Sequence, residues 1–245
     1  MDPIMDVALH AMQVDMARLE RLGANLANAL TPGYRREVLV QRAGTMSFAD
    51  RLGHEAAVDA SARAAAGADV LRDWRPGTLR PTGQPFDLAL AGPGFFELAT
   101  PAGPAYTRDG RFRLDERGRL VSATGHPVMG AAGEIVLLPG PVAIDARGVV
   151  RQGGQALAQL RVVAVDTPQA LLPAGDGLYA GAARIGPVPD AERQVRQGFL
   201  ENANVDPMHE MVELMRTTRH FETLSRVLQG RDEMLGAALR RLGEF

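Results

Sequence analysis

Apolar residues near the amino terminus recur at every third or fourth position. They are Met5, Leu9, Met12, Met16, Leu19, Leu22 and Leu26. This spacing places them on one face of an α-helix, while Arg18, Glu20 and Arg21 point away from that face. Pro3 is tolerated in a first helical turn, whereas Pro32 disfavours helix in the residue before it. The pattern therefore predicts a helix that ends near Leu30.

The C-terminal segment carries a more regular apolar repeat. Its main residues lie seven positions apart, at Leu214, Phe221, Leu228, Leu235 and Leu242. Met211 and Leu224 lie beside this repeat, and a heptad pattern of this length is typical of a coiled coil. Asn204 or Asp206 as the N-cap, followed by Pro207, predicts that the helix begins near residue 206.

The two apolar stripes have two interpretations. One is that each helix packs on the rest of its own chain, or that the two helices pair within one subunit. The other is that both stripes contact neighbouring subunits. Eight of the ten methionines lie within the first 16 residues or between 208 and 234. Flexible methionine side chains suit surfaces that adapt to several neighbours, so their distribution favours the second interpretation.

The middle of the chain has the pattern of short strands separated by turns. Between residues 53 and 197 lie 33 of the 43 Gly and Pro residues, which break helices and form turns. The predicted strands are 86–90, 94–98, 105–108, 111–115 and 160–165, and further turns are predicted at 116–118 and 146–148.

A hairpin is predicted where Asp109 and Gly110 separate two of these strands. Asp-Gly is favoured in the type I′ turn, which needs positive φ at both central residues. In the strand that follows, Phe112 and Leu114 would face a core while the arginines between them face water.

Together these patterns predict an α+β fold. The N- and C-terminal helices would form a coiled-coil-like helical domain, with an irregular all-β domain inserted between them. The predicted boundaries are 1–30 for the N-terminal helix, 31–75 for a linker or extended segment, 76–190 for the all-β domain, 191–205 for a return linker and 206–245 for the C-terminal helix. The Ala-rich stretch 44–75 receives no predicted structure.

Charge and composition exclude several function classes. Arginine supplies all 27 basic residues, and 29 acidic residues leave a formal net charge of −2, which gives no electrostatic case for nucleic acid. The absence of cysteine excludes disulfides and thiolate metal sites. No apolar run approaches the roughly 18 residues of a membrane span, so direct membrane insertion is not expected. Asp2, Asp6 and Asp15 do not fit a secretory signal, so any export is expected to occur without a cleaved signal peptide.

Candidate catalytic and metal-ligating residues do not assemble into a known motif. The segment from His209 resembles the start of a zinc-protease helix, but Glu213 stands where the second histidine ligand is required. A solvated helix face is the expectation there. No G-x-S-x-G is present, and acidic residues such as Asp109 and Asp115 lie on predicted turns. We therefore expect no enzyme and no catalytic, cofactor or metal site; a hydrolase using acidic residues of the β domain is a remote alternative.

Three blocks of sequence resemble one known family. The first closes the N-terminal helix and covers 25–35, including Asn25, Leu26, Ala27, Asn28, Thr31, Pro32, Gly33 and Tyr34. The second is central and covers 83–90, 94–96, 105–112, 118–121 and 125–130, and the third covers 198–205, 210–212 and 219–222. In this order they resemble the rod and hook proteins of the bacterial flagellum. Asn25 and Asn28 are expected to satisfy backbone groups where the helix ends.

Within this family the chain length and the segment 125–130 are most similar to the proximal rod protein, with a distal rod or hook-type axial subunit as the alternative. Ala24, where the family often has Asn, and the lack of lysine bear on this subtype but not on the family. A different class, a soluble β binding module with internally paired terminal helices, is the remaining alternative.

The resemblance implies a non-enzymatic structural subunit without a cofactor. Such subunits assemble with copies of themselves and with neighbouring rod proteins into a helical drive shaft, which spans the periplasm in the basal body and transmits torque from motor to hook. Export by the flagellar type III apparatus is also implied, as is an inner layer of terminal helices with the β domain outside. The two apolar stripes are then the predicted subunit interface.

Overall fold

The computed structural model describes residues 3–41, 68–181 and 184–242. The chain divides into two compact units. The helical unit comprises Met1–Ala27, Glu37–Arg72 and Asp206–Phe245, and the β unit comprises Asn28–Arg36 and Asp73–Val205. Most of the stretch 44–75 lies outside the described residues.

In its described residues the helical unit contains two helices and one pair of strands. Helix α1 spans Pro3–Ala27, strands β1 and β2 span Glu37–Gln41 and Ala68–Arg72, and helix α2 spans Pro207–Leu242. The strands pair in antiparallel fashion, with Glu37 opposite Arg72. Helix α1 ends before the expected Leu30, and no helix in the described part of the chain has the length and apolar character of a membrane span.

The start of helix α2 shows which of the two predicted N-cap residues, Asn204 or Asp206, caps the helix. The carboxylate of Asp206 accepts hydrogen bonds from the backbone N–H groups of Met208 and His209, at 3.0 and 3.3 Å. These N–H groups have no partner within the helix, so Asp206 is the N-cap and Pro207 is the first helical residue.

The predicted coiled-coil-like helical domain is wrong. A coiled coil buries apolar residues along one continuous seam. Helices α1 and α2 pack as a pair, but their fully buried positions include Asp15 on α1 and Glu210 and Thr217 on α2. Leu9 and Met16 of the predicted apolar stripe on α1 are instead more than half exposed. The fold class is therefore a terminal helical pair joined to a large β-rich part, without a coiled coil.

The β unit is built from seventeen short strands in its described residues. In chain order they are β3 (Leu79–Pro81), β4 (Leu88–Leu90), β5 (Phe95–Thr100), β6 (Gly103–Thr107), β7 (Phe112–Leu114), β8 (Leu120–Ser122), β9 (Met129–Gly130), β10 (Gly133–Glu134), β11 (Val142–Ile144), β12 (Val149–Gln152), β13 (Gln155–Gln159), β14 (Val162–Val165), β15 (Leu172–Gly175), β16 (Leu178–Ala180), β17 (Ile185–Pro187), β18 (Val195–Gln197) and β19 (Phe199–Glu201). A single 3₁₀ turn, Pro168–Ala170, precedes β15.

Antiparallel pairing joins these strands into one larger sheet and several small ones. The larger sheet has six strands in the order β15-β16-β6-β5-β14-β17, and β11-β12-β13 form a three-stranded sheet. Strand β18 pairs with β4, and β19 pairs with β3. These last two pairings bring strands from the start and the end of the β unit together. The four strands lie in or beside the second and third family-like blocks.

The hairpin predicted at Asp109-Gly110 is wrong. Strand β6 pairs with β5 and β16, whereas β7 pairs with β8, so the dipeptide is a corner between two sheets. Gly110 is required for another reason: a Cβ atom there would overlap the backbone carbonyl of Leu88. The alternation of the next strand is as expected, with Phe112 buried and Arg111 and Arg113 exposed.

Two hydrophobic clusters form the core of the β unit. The larger is contributed by most of the strands and includes Phe96 and Phe112, whose rings pack edge to face at 5.1 Å. The smaller comprises Phe95, Tyr106, Val163, Leu171 and Tyr179, with Trp74 packed against it. Phe95 and Phe96 are adjacent in β5 and enter different clusters, because alternate side chains of a strand point to opposite faces.

Candidate functional site

The predicted interface residues of α1 differ widely in exposure. Leu22 is buried, and Met12, Leu19 and Leu26 are half-buried. Met5, Leu9 and Met16 are exposed, with Met16 60% accessible. The stripe is therefore partly covered within the chain near its C-terminal end and open toward its N-terminal end.

On α2 the corresponding stripe is half-buried. Leu214, Phe221, Leu224 and Leu228 are intermediate in exposure and Met211 is exposed, while the side chains of Leu235 and Leu242 lie outside the described set. The prediction missed further exposed apolar residues of this helix, namely Met208, Val212, Met215, Val227 and Met234. The clustering of methionine at the chain ends was the signal that could have found several of them.

Asn25 joins three elements of the helical unit. Its side-chain carbonyl accepts from the backbone N–H of Glu37 at 2.8 Å, and its amide donates to the backbone carbonyl of Glu37 at 2.8 Å. The amide also donates to the carboxylate of Glu210 at 3.0 Å. Asn25 and Glu210 are 1% and 0% exposed. Asn25 thus connects the end of α1 to β1 and to the first turn of α2. The expectation that Glu210 belongs to a solvated helix face is wrong.

The side chain of Glu37 adds charge to this connection. Its two carboxylate oxygens accept hydrogen bonds from Arg21 at 3.1 Å and from Arg72 at 2.5 Å. Hydrogen bonds to Glu20 and then to Glu37 raise the pKa of Arg21 above its ordinary value. Because Glu37 and Arg72 are only slightly exposed, this network links α1 to both strands of the helical unit more firmly than a surface pair does.

A second polar contact holds the two helices together farther along. Nδ1 of His220 on α2 lies 2.5 Å from a carboxylate oxygen of Asp15 on α1. Asp15 is buried, whereas the side chain of His220 is 60% exposed. The buried carboxylate is therefore satisfied by a histidine that reaches it from the surface.

In the β unit a buried cluster of charged residues joins all three family-like blocks. Glu201 accepts a hydrogen bond from Arg35 at 2.7 Å on one carboxylate oxygen and from Arg108 at 3.2 Å on the other. The first oxygen also accepts from the backbone N–H of Gly77 at 2.9 Å. Each of the three charged side chains is at most 8% exposed. Arg35 and Arg108 precede Glu201 by 166 and 93 positions, so no local sequence pattern could predict the cluster.

The cluster forms because the backbone approaches closely at glycine. Gly33 has φ of +72° and donates its N–H to the backbone carbonyl of Glu201 at 2.8 Å. A Cβ atom at Gly33 would overlap the backbone of Arg108, and one at Gly77 would overlap the carbonyl of Asn202. Glycine is therefore required at both positions, for space at Gly77 and for space and backbone conformation at Gly33.

Burial sets the electrostatics of Arg108. Desolvation lowers its pKa, and the negative charge of Glu201 opposes that effect. Its guanidinium also donates to the backbone carbonyls of Leu90 and Gly92, at 3.3 and 3.1 Å. Buried ion pairs of this kind contribute little net stability, but breaking one by removing a partner is strongly destabilising.

Asn204 connects the ends of the β unit. Its side-chain carbonyl accepts from the backbone N–H of Arg36 at 2.7 Å, and its amide donates to the carbonyls of Asp73 and Arg75 at 2.7 and 2.9 Å. This residue was the other candidate for the helix N-cap. It instead satisfies backbone groups that lie far away in sequence.

The remaining residues of the first block lie at the turn after α1. The hydroxyl of Thr31 donates to the side chain of Asn28 at 3.2 Å, and Pro32 is buried. Tyr34 and Leu26 are half-buried, and Ala27 is exposed. Asn28 therefore makes a contact within its own turn, and Asn25 satisfies backbone groups of β1.

The described residues contain no group of three or more His, Cys, Asp or Glu side chains placed to hold a metal ion. The acidic residues considered for hydrolysis pair with arginines: Asp109 lies 2.7 Å from Arg111, and Asp115 lies 2.8 Å from Arg119. These carboxylates are thus engaged in neighbouring ion pairs.

Comparison of the sequence with known protein families first shows the class of protein that this chain resembles. Residues 196–241 match the family model described as flagellar basal body rod FlgEFG protein C-terminal, and residues 89–153 match the flagellar hook protein FlgE/F/G D1 domain. Arg108 lies in the second of these matches and Glu201 and Glu210 in the first. These two stretches of the chain are therefore similar to domains of flagellar rod and hook proteins.

Full-length relatives identify the family within that class. The flagellar basal-body rod protein FlgF of Caulobacter vibrioides is 32% identical over 100% of both chains, and that of Rhizobium meliloti is 34% identical over 97% of this chain and 96% of its own. The flagellar basal-body rod protein FlgG of Bacillus subtilis is 27% identical over 93% and 94%. The chain belongs to the flagellar basal-body rod protein family, and the resemblance found in the sequence is confirmed.

Proposed function

We propose that this protein is a structural, non-enzymatic subunit of the flagellar basal-body rod, where it assembles with copies of itself and with other rod components. The observation that carries the proposal is its identity of 32–34%, over essentially the whole chain, with proteins named as basal-body rod proteins. The structure is consistent with a mechanical part, since polar clusters fix the positions of its elements and pair the charges that could serve catalysis.

The exposed apolar residues of α1 and α2 are the surfaces through which the subunits contact one another. The contact between the two helices uses buried polar residues, so many of their methionines and aliphatic residues remain available. Burying such side chains against neighbours contributes about 25 cal/mol per Å² of apolar area removed from water. Repeated along a shaft, these contacts give the stiffness that torque transmission requires.

Placement near the proximal end of the rod and export through the flagellar type III apparatus belong to the same proposal. The resemblance of the segment 125–130 to the proximal rod protein supports the placement. An isolated amphipathic helix is marginal in water and gains most of its stability from packing, which suits a chain that must pass through a narrow channel before assembly.

The test is genetic and structural. A strain lacking the protein is complemented with the intact gene, with Leu228→Asp, with a chain truncated before residue 215, or with Gln229→Asp as a control. Gln229 is the exposed neighbour of half-buried Leu228, so the substitution Gln229→Asp adds the same charge without removing an apolar contact. We expect Leu228→Asp and the truncation to abolish rod assembly and Gln229→Asp to preserve it.

The point at which the rod stops in electron micrographs of the deletion strain tests the proximal placement. Normal basal bodies in that strain would contradict the proposal.

A second candidate is a soluble β binding module whose terminal helices pair internally, and the packing of α1 against α2 favours it. Amide exchange on the monomer separates the two. Slow exchange throughout both helices, together with normal rods in the deletion strain, would support the binding module. Exchange before residue 30 and after residue 206 that is faster than in the β unit supports helices that gain stability on assembly.

A further inference from the structure

The β unit contains a cavity of about 390 Å³ whose wall carries cationic and aromatic side chains. Arg35 and Arg108 line it, together with Trp74, Phe95 and the turn around Gly92. All of these residues belong to the β unit. The volume is that of a small organic molecule or of one large side chain from another protein.

Three of the lining side chains retain hydrogen-bond donors that the protein does not satisfy. Among the described residues, Nε and Nη1 of Arg35, Nε of Arg108 and Nε1 of Trp74 are buried and have no acceptor. Most buried donors in proteins are paired, so four unpaired donors around one cavity are unusual. All four can bond the same kind of partner, an acceptor with several lone pairs.

The charge of the wall indicates the sign of that partner. Two buried guanidinium groups share the single carboxylate of Glu201, which leaves one positive charge without a nearby buried counter-charge in the cluster. Arginine presents its donors in a planar fork that fits a carboxylate on two oxygens. An anion in the cavity would therefore balance the cluster and bond its free donors.

The rest of the wall indicates what the anion is attached to. Trp74, Phe95 and Tyr179 pack edge to face, with ring centroids 5.1–6.2 Å apart. The guanidinium carbon of Arg108 lies 5.4 Å from the centroid of Phe95. Pro76, Pro93 and Val165 complete a largely apolar lining. Such walls suit an apolar or aromatic body better than the fully hydrated surface of a phosphate.

We propose that this cavity binds a carboxylate that carries an apolar body, with Arg35 and Arg108 holding the carboxylate and Trp74 and Phe95 contacting the body. Because the free N–H groups are themselves buried, binding requires small rotations of Arg35, Arg108 and Trp74 toward the cavity. The carboxylate belongs either to a free small molecule or to an acidic side chain of a neighbouring subunit, in which case an adjacent apolar residue of that subunit is the body. Binding in this cavity does not depend on the rod function, so either proposal can fail without the other.

The experiment uses 3-phenylpropionate as the probe and its uncharged amide as the control. Trp74 is the only tryptophan in the sequence, so its fluorescence and its indole N–H resonance report directly on the cavity of the purified full chain. We expect saturable binding of 3-phenylpropionate, with a shift of the indole resonance, and at least tenfold weaker binding of the amide.

Two variants keep the test independent of the arginines, whose loss could prevent folding. Val165→Phe enlarges a side chain of β14 that lines the cavity and packs against the same aromatic cluster as Trp74, and Val136→Phe makes the same change at an exposed position. We expect the first to weaken binding at least tenfold and the second to leave it unchanged. Absence of binding to the folded protein, equal binding of the amide, or undiminished binding to folded Val165→Phe would each overturn the proposal.

A final comparison identifies the source of the carboxylate once binding is established. Basal bodies are examined from strains that carry Val165→Phe or Val136→Phe. Loss of the rod with the first variant alone indicates that a neighbouring subunit inserts an acidic side chain. Normal rods with both variants indicate a free carboxylate.

Discussion

The side-chain amide of Asn25 donates a 3.0 Å hydrogen bond to the carboxylate of Glu210, and both side chains are buried. The two residues are 185 positions apart, one near the end of α1 and the other in the first turn of α2. The same asparagine pairs with both backbone groups of Glu37. One short side chain therefore fixes where the terminal helices meet and where the chain departs from α1.

Asn25→Ala should destabilise the helical unit. The substitution removes three hydrogen bonds, two to the backbone of Glu37 and one to the buried carboxylate of Glu210, and the expected loss is about 2–4 kcal/mol, since each hydrogen bond contributes about 0.5–1.5 kcal/mol. Helical circular dichroism during urea unfolding, with amide exchange on β1, measures it. Asn28→Ala is the control, because Asn28 is half-buried and its side chain bonds within its own turn. Equal stability of the two variants would show that the Asn25 contacts are not important.

The contact between Asp15 and His220 should show coupling between the two residues. Removing the imidazole leaves a buried carboxylate without that partner, so the double replacement Asp15→Ala/His220→Ala should cost less than the sum of the two single replacements. We expect a coupling of about 1–3 kcal/mol in a double-mutant cycle measured by urea unfolding. His209→Ala, at an exposed position of the same helix, should be nearly neutral. A coupling indistinguishable from zero would mean that the contact does not hold the helices together.

Glu201→Gln should strongly destabilise the β unit. It keeps the shape of the side chain but leaves Arg35 and Arg108 buried without their counter-charge. Breaking a buried pair in this way costs about 3–5 kcal/mol. Trp74 fluorescence during urea unfolding reports on the β unit, and Glu116→Gln, at an exposed turn, is the control. A shift in the midpoint no larger than that of the control would refute the stabilising role of the cluster.

Met16→Glu should separate assembly from folding. Met16 is 60% exposed on α1, so a charge there should change the unfolding free energy by less than about 0.5 kcal/mol. If this surface contacts neighbouring subunits, the same charge becomes buried on assembly and rods should fail to form. Gln13→Glu adds an equal charge at an exposed polar position of α1 and should leave rods intact. Normal rods with Met16→Glu would show that this part of α1 does not lie in a subunit interface.

Local patterns in the sequence were sufficient for elements that are stabilised locally. The spacing from Met5 to Leu26 predicted α1, and the turn-forming residues predicted a β-rich middle. The same patterns failed where distant groups decide the outcome. A heptad of apolar residues on α2 could not show that the buried positions facing α1 include Glu210 and Thr217. Asp109-Gly110 has the composition of a hairpin turn, yet Gly110 is needed because Leu88 packs against it.

The buried cluster of Arg35, Glu201 and Arg108 was beyond sequence analysis for the same reason. Charged residues are expected at the surface, and these come from three separate segments that meet only after β3 and β4 pair with β19 and β18. The family-like blocks contain all three residues, so the resemblance marked the segments without stating their roles. Only the three-dimensional structure assigns each residue to the cluster.

Gly33→Ala should destabilise the β unit far more than Gly83→Ala does. The two glycines have nearly the same backbone conformation, with φ of +72° and +71°, so alanine at either position costs about 1 kcal/mol in backbone strain. Their surroundings differ. A Cβ atom at Gly83 meets nothing within 4 Å, whereas one at Gly33 would lie 2.5 Å from the backbone nitrogen of Asp109. The chain must then move away from Arg108 and pull Arg35 off Glu201. Urea unfolding followed by Trp74 fluorescence should show a loss for Gly33→Ala of at least twice that for Gly83→Ala, and equal losses would mean that the close approach at Gly33 is not required.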